Sequence, residues 1–320
     1  MEHAIIAKDV HKTYRSGFLG RRQTYALRGI DLAVKKGELF GLLGRNGAGK
    51  TTLLNIFSCQ LLPDSGSVSI LGTDITKHNY SRVKTRLNMC SGSPNFPWSL
   101  TVEENLKFYA LLYGKCGREC AKTTSYCLET FGLQEYRKTR YDQLSSGNKQ
   151  KLALAKSLIN DPEVLFLDEP TIGLDVSMQS TVRSFIRAYN ERFGASVLLT
   201  SHYMEDVAAL CPRVVVIDKG RLIFDGALAD LVRRVRPDKR VVVKLSKPVT
   251  RADLEPFGRL VSHEDSQAVL QVPYGGLPER VQRILALLPV LDLSVEDPPL
   301  EEVFRELYRR SPGPSEAVPR

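Results

Sequence analysis

The amino-acid sequence predicts an α/β protein in two parts, a covered and mostly parallel sheet over residues 1–232 and a small α+β domain over 233–310. Three features carry that expectation. Short apolar runs bounded by Gly, Asp or Ser are continuous and do not alternate, as in strands buried on both faces. The segments between them place apolar residues at three and four spacing, as helices packed on a sheet do. Beyond Arg233-Arg234-Val235-Arg236-Pro237 the texture changes to shorter elements in the order β-α-β-β-α-β, which is ferredoxin-like. A chain of 320 residues suits one large domain with a smaller one attached.

Taken in order, the strands of the first part are Leu39 to Leu43, Val164 to Leu167, Val197 to Thr200 and Val214 to Ile217. Its helices are Lys50 to Phe57, Gly147 to Ile159 and Met178 to Arg192. In the second part, strands Arg240 to Leu245 and Arg259 to His263 flank a short helix at Thr250 to Phe257. Strands Gln267 to Val272 and Val290 to Val295 flank an amphipathic helix at Leu277 to Leu287. A last helix, Leu300 to Arg310, meets Ser311-Pro312-Gly313-Pro314, where Pro and Gly stop it, and 311–320 reads as a loose tail.

Composition narrows the class. With 42% apolar and 25% charged residues, the chain lies far from the corner where disorder dominates. A net charge of +9 suits anionic partners such as nucleotides, nucleic acid or an acidic membrane surface, without choosing among them. No apolar run approaches the roughly 20 residues that a spanning helix needs, and the start of the chain has no apolar core of a secretory signal. Six cysteines without small-domain spacing read as reduced thiols of a cytosolic protein. Cys116, Cys120 and Cys127 fall on one helical face; they read as core residues before a soft-metal site.

Gly44-Arg45-Asn46-Gly47-Ala48-Gly49-Lys50-Thr51 fits the phosphate-loop pattern, and it lies between an apolar strand and a helix opening Thr51-Thr52-Leu53-Leu54. Glycines let successive backbone N–H groups turn around phosphate oxygens, the helix N-terminus adds partial positive charge and Lys50 a full one. The Thr51 hydroxyl can ligate Mg²⁺. Val164 to Leu167 runs into Asp168 and Glu169, which places Asp168 to hold the metal shell and Glu169 to orient or deprotonate a water.

Leu144-Ser145-Ser146-Gly147-Asn148-Lys149-Gln150, just upstream, resembles the signature motif of the ATP-binding cassette (ABC) family. Residues 1 to about 230 are similar to one complete cassette, a P-loop NTPase with a RecA-like core and antiparallel β and helical subdomains. The resemblance implies ATP and Mg²⁺ as cofactors. It matches Tyr14 to the aromatic that stacks on adenine, with Phe18 and Tyr25 as rivals, and Gly44, Asn46, Gly47, Ala48, Gly49, Lys50, Thr51 and Thr52 to the phosphate cradle. It also matches Gly173-Leu174-Asp175 to the loop at the dimer seam, and His202 to the switch histidine. In that family a second cassette points its signature helix at the γ-phosphate, so Ser145, Ser146 and Gly147 complete the site in trans.

Two departures stand out. Ser146 puts a side chain where the family has glycine, and Gly92 falls where the family has its metal-contacting glutamine, with Ser91, Ser93 and Asn95 nearby. Trp98 lies in the loop that, by resemblance, faces a membrane partner, as an anchor or a core residue, and the basic run 233–240 reads as a solvated hinge.

The function implied is the ATP-hydrolysing subunit of a membrane transporter, at the cytoplasmic membrane face of a bacterium. Its partners would be a second cassette, identical or related, and an ABC-2-type transmembrane permease. Export is favoured because Pro299-Leu300-Glu301-Glu302-Val303-Phe304 and Thr171-Ile172-Gly173-Leu174-Asp175 resemble export cassettes. The alternative is a soluble cassette ATPase acting on nucleic acid, ribosomes or cofactor assembly. The chain lacks the second cassette copy, long coiled coil or zinc module that such proteins carry, so nucleic acid is disfavoured.

Overall fold

The computed structural model describes residues 3–16, 22–76, 78–91, 96–264 and 266–310. The first part of the chain runs β1 (His3–Ser16), β2 (Arg22–Lys35), β3 (Leu39–Gly44), α1 (Lys50–Phe57), β4 (Ser65–Ile70), β5 (Thr73–Asp74), α2 (Tyr80–Lys84), β6 (Leu87–Cys90), α3 (Val102–Leu112), α4 (Gly117–Thr130), α5 (Ser146–Lys156), β7 (Val164–Asp168), α6 (Val176–Phe193), β8 (Ser196–Thr200), α7 (Met204–Leu210), β9 (Arg213–Asp218) and β10 (Arg221–Ala227). The rest is α8 (Leu228–Val235), β11 (Asp238–Leu245), α9 (Arg251–Leu254), β12 (Arg259–Glu264), β13 (Gln267–Pro273), α10 (Leu277–Leu287), β14 (Val290–Glu296) and α11 (Leu300–Arg310).

The first part holds two sheets. One has the order β10-β9-β3-β8-β7-β6, and its β9, β3, β8, β7 and β6 pair in parallel. The continuous apolar runs are its central strands: every residue of β8 is buried, as are Leu39 to Leu43 and Val164 to Leu167. The second sheet, β2-β1-β4-β5, is antiparallel. No apolar periodicity announced it, because its long strands carry polar residues on an exposed face; only the family resemblance implied it. One core joins the two sheets across α1, with Phe40, Leu42, Phe166 and Leu198 meeting Leu53, Phe57, Ile5, Leu27 and Ile70. Apart from these layers, α3, α4 and α5 pack on one another, and α3 opens with a reciprocal capping box between Thr101 and Glu104.

The second part has the sheet order β12-β13-β11-β14, antiparallel throughout, which is the ferredoxin-like arrangement. Val241, Val243, Leu270, Ile284 and Phe257 fill its core. The short helix expected at Thr250 to Phe257 breaks into α9 and a 3₁₀ turn over Glu255–Phe257, because Pro256 has no N–H to continue the helix.

The chain divides into compact units at Met1–Asp225 and Gly226–Arg320, earlier than the boundary placed at 232. The reason is α8, which spans that boundary, buries Leu231, Val232 and Val235, and packs on α11. The basic run is therefore no hinge: Arg233 and Arg234 close α8, and Val235 is core. Cys120 and Cys127 are core residues of α4, burial pushing the Cys127 thiol up to about 12, while Cys116 is exposed. Trp98 is 67% exposed under the Arg140 guanidinium, 5.8 Å from the ring centre. The expected tail, 311–320, lies outside the described residues.

Phe304 is 4% exposed on α11. Truncating it to Ala should destabilise the second unit by about 3–5 kcal/mol. Urea titration should show that unit unfolding earlier and the first unit unmoved; a single unchanged transition would mean that the α8–α11 pair contributes nothing.

Candidate active site

Parallel register brings three strand ends side by side. Gly41 pairs with Leu199 and Asp168 pairs with Thr200, so the chain leaves β3, β7 and β8 along one edge of the sheet. The segment after β3 is the glycine loop. Gly49 has φ +111, and a Cβ there would lie 2.5 Å from the Ala26 carbonyl oxygen, so no other residue fits. Gly47 has φ +79 but meets nothing within 4 Å, leaving its side of the loop open to a ligand. Gly44 ends β3, Asn46 is exposed, and Ala48 is buried with its N–H donating to the Arg45 carbonyl at 3.1 Å. Because Gly49 caps α1 with no side chain, the first-turn N–H groups of Lys50, Thr51 and Thr52 receive no side-chain cap and face the opening of the loop.

Lys50 is half buried, and its Nζ donates to the carbonyls of Gly44 at 2.6 Å and Arg45 at 3.2 Å. Burial lowers its pKa, and the charges of Glu169 and Asp168 oppose that shift. The end of β7 is pinned from β8: the Thr200 hydroxyl donates to Asp168 Oδ1 at 2.6 Å and accepts from the Glu169 N–H at 3.2 Å. Glu169 sits at φ +53, a left-handed conformation that costs a side-chain-bearing residue about 1–3 kcal/mol and turns its carboxylate toward the next loop. There the His202 N–H donates to Glu169 Oε2 at 3.0 Å, and His202 Nε2 lies 3.5 Å from Oε1. Burial raises the Glu169 pKa above the ordinary carboxylate range, against the lowering contacts from His202.

The loop from Arg45 to Lys50, Asp168, Glu169 and His202 line one cleft of about 520 Å³ together with Thr51, Thr52, Tyr14 and Tyr25. The Tyr14 hydroxyl is 3.4 Å from Thr52 Oγ1. Of its rivals, Tyr25 shares the cleft, and Phe18 lies outside the described residues. Ser145, Ser146, Gly147 and Asp175 do not line it. Ser145 caps α5, its Oγ accepting from the Asn148 N–H at 3.3 Å, and Asp175 caps α6, accepting from Met178 at 2.8 Å. Ser145 and Ser146 are exposed, so the serine that replaces a glycine meets no crowding within the chain. Gly92, Ser93 and Asn95 lie outside the described residues.

Two groups of residues went unseen in the sequence. Thr200 reads there as the last residue of an apolar strand; its signal was a hydroxyl at the register position opposite a carboxylate. Asp206 is fully buried on α7 and accepts from Thr171 at 2.5 Å, Ser201 at 2.8 Å and Arg183 at 2.6 Å. It ties the loops that follow Glu169 and precede His202 to α6, and only tertiary contact reveals it.

Comparison with known proteins places these features in a family. The ABC transporter model matches residues 27–172, and the model for the C-terminal domain of EvrA-like ABC transporters matches 237–296. The linearmycin resistance ATP-binding protein LnrL of Bacillus subtilis is 32% identical over 295 residues, which cover 89% of this chain and 94% of that protein. The methionine import ATP-binding protein MetN of the same organism is 29% identical, over 90% of this chain and 84% of its own length. A dimeric post-hydrolysis structure of the ATP-binding cassette MJ0796 with ADP and Pi superposes with a TM-score of 0.65 at 26% identity, covering 70% of this chain and 98% of that one.

Thr200→Val removes one donor and one acceptor at the Asp168–Glu169 corner. It should cost about 1–3 kcal/mol of stability and lower kcat, with Thr200→Ser keeping both; a Val variant with wild-type turnover would leave the corner without a role.

Proposed function

The chain belongs to the ABC transporter family as an ATP-binding, ATP-hydrolysing subunit, and from that premise we propose how its residues divide the work. One observation carries the proposal: the glycine loop, Asp168, Glu169 and His202 share one cleft, with the left-handed Glu169 held against His202. Tyr14 stacks on the adenine. The loop N–H groups and Lys50 hold the triphosphate, and Lys50 exchanges its bonds to the loop carbonyls for phosphate oxygens. Glu169 takes the proton of the attacking water, and His202 hydrogen-bonds the terminal phosphate.

Thr51 and Asp168 offer a hydroxyl and a carboxylate on the same cleft, an all-oxygen donor pair that suits Mg²⁺ completed by water and phosphate oxygens. When bound, Mg²⁺ supplies Lewis-acid charge at those oxygens. Thr200 fixes the orientation of Asp168 toward that task.

Ser145, Ser146, Gly147 and Asp175 act in trans in this proposal. The exposure of Ser145, Ser146 and Asp175, and the place of all four off the cleft of their own chain, support a second cassette bringing them to it. The dimer closes on ATP and opens after hydrolysis, and an ABC-2-type permease at the cytoplasmic face of a bacterial membrane converts that motion into transport. No helix among the described residues is long and apolar enough to cross a membrane. Relatives named as an ABC transporter ATP-binding protein and a methionine import ATP-binding protein support this reading over a soluble ATPase acting on nucleic acid. Export rests on the likeness to a Nod factor export ATP-binding protein, 38% identical over 64% of this chain, and on Pro299 to Phe304, part of α11 and its approach. Radiolabelled substrate accumulating inside inverted vesicles on adding ATP would support export; ATP-driven release from them would reverse the direction.

Glu169→Gln should keep ATP affinity within about threefold and lower hydrolysis by 10²-fold or more, measured by nucleotide binding and phosphate release. Lys50→Ala should instead weaken binding itself by at least tenfold. Unchanged affinity in the second, or retained turnover in the first, overturns the assignment of that residue. Because the Glu169 pKa is raised, the base protonates and kcat falls at a higher pH than an ordinary carboxylate would give. A kcat profile flat down through the carboxylate range would remove Glu169 as base.

A further inference from the structure

The unit Gly226–Arg320 contains a cleft of about 1000 Å³ that the ATPase chemistry does not use. Five arginines line it, from four places in the unit: Arg236 after α8, Arg259 on β12, Arg280 on α10, and Arg309 and Arg310 at the end of α11. Every carboxylate in the wall is already engaged. Asp238 accepts from Gln271 at 2.8 Å, Glu255 meets Arg251 at 3.3 Å, and Glu306 accepts from Arg310 at 3.1 Å. Glu302 lies 3.5 Å from Arg236 Nη2.

The cations, by contrast, have capacity to spare. The Arg236 Nε is buried and has no hydrogen-bond partner. Among the described residues, Arg280 reaches only the Gly275 carbonyl, at 3.4 Å, and Arg259 has no ion pair. Guanidinium groups present planar forks that match oxyanions with two oxygens. The cleft is large enough for a small organic anion.

We propose that this cleft is a binding site for a small dianion, a phosphate monoester or a dicarboxylate, held by Arg236, Arg259 and Arg280. The site makes the C-terminal unit a receptor for an anionic metabolite, separate from the ATP cleft in its residues and its ligand.

The test uses the full chain, with the ATP cleft filled by a non-hydrolysable ATP analogue and Mg²⁺ so that the glycine loop takes no phosphate from the probe. Calorimetric titration with glycerol 2-phosphate and, separately, with succinate is compared with potassium chloride at matched ionic strength. At least one dianion should give saturable binding at one site per chain, chloride none, and the two arms name the ligand class. The double variant Arg259→Ala/Arg280→Ala should bind at least tenfold more weakly, while Arg233→Ala on the exposed side of α8 should not change affinity. Should the alanine pair fail to fold, Arg259→Lys/Arg280→Lys keeps the charge and loses the forks, and a loss of threefold or more is expected there. Absence of saturable binding by either dianion, or full affinity in the folded double variant, overturns the proposal.

Discussion

The site depends on one constraint, the parallel register of β3, β8 and β7. Parallel neighbours release their chains at the same edge of a sheet, so the glycine loop and the Asp168–Glu169 corner each begin one strand away from the His202 loop, on either side of β8. Thr200 then converts proximity into geometry. Its hydroxyl holds Asp168 and receives the Glu169 N–H, and the strained turn at Glu169 swings that carboxylate toward His202. A shift of one residue in the β7–β8 pairing would send Asp168 to the opposite face of the sheet and dismantle all three relations.

How much of this was legible depended on whether the cause was local. The buried strands were legible because a strand covered on both faces must be apolar throughout, as Val164 to Leu167 is. The glycine loop was legible because Gly49 is required by its backbone and by the Ala26 carbonyl against it. The antiparallel sheet was not legible from periodicity, since β1 and β2 carry many charged residues and are broken by register shifts. Nor was α8: its arginines and the Pro237 that follows imitate a linker, and only burial of Val232 and Val235 distinguishes it from one. Thr200 and Asp206 act through partners more than twenty residues away or on another helix, contacts that no spacing rule encodes.

The division of labour within the first unit follows from exposure. Residues that touch the cleft are tied to the sheet by hydrogen bonds inside the chain, whereas Ser145 and Asp175 spend theirs capping helices that open outward. A helix N-terminus at the surface with exposed serines is a surface prepared for an anion that its own chain does not present. In the proposed reading, that asymmetry is what a second copy answers, with ATP as the bridge between two half-sites.

A crystal structure of the Glu169→Gln protein grown with ATP and Mg²⁺ addresses this most directly. The account expects two chains head to tail, with the partner's serine hydroxyl from the start of α5 about 3 Å from the terminal phosphate oxygens. A single chain holding ATP alone, or a dimer whose α5 helices open away from the nucleotide, would contradict it.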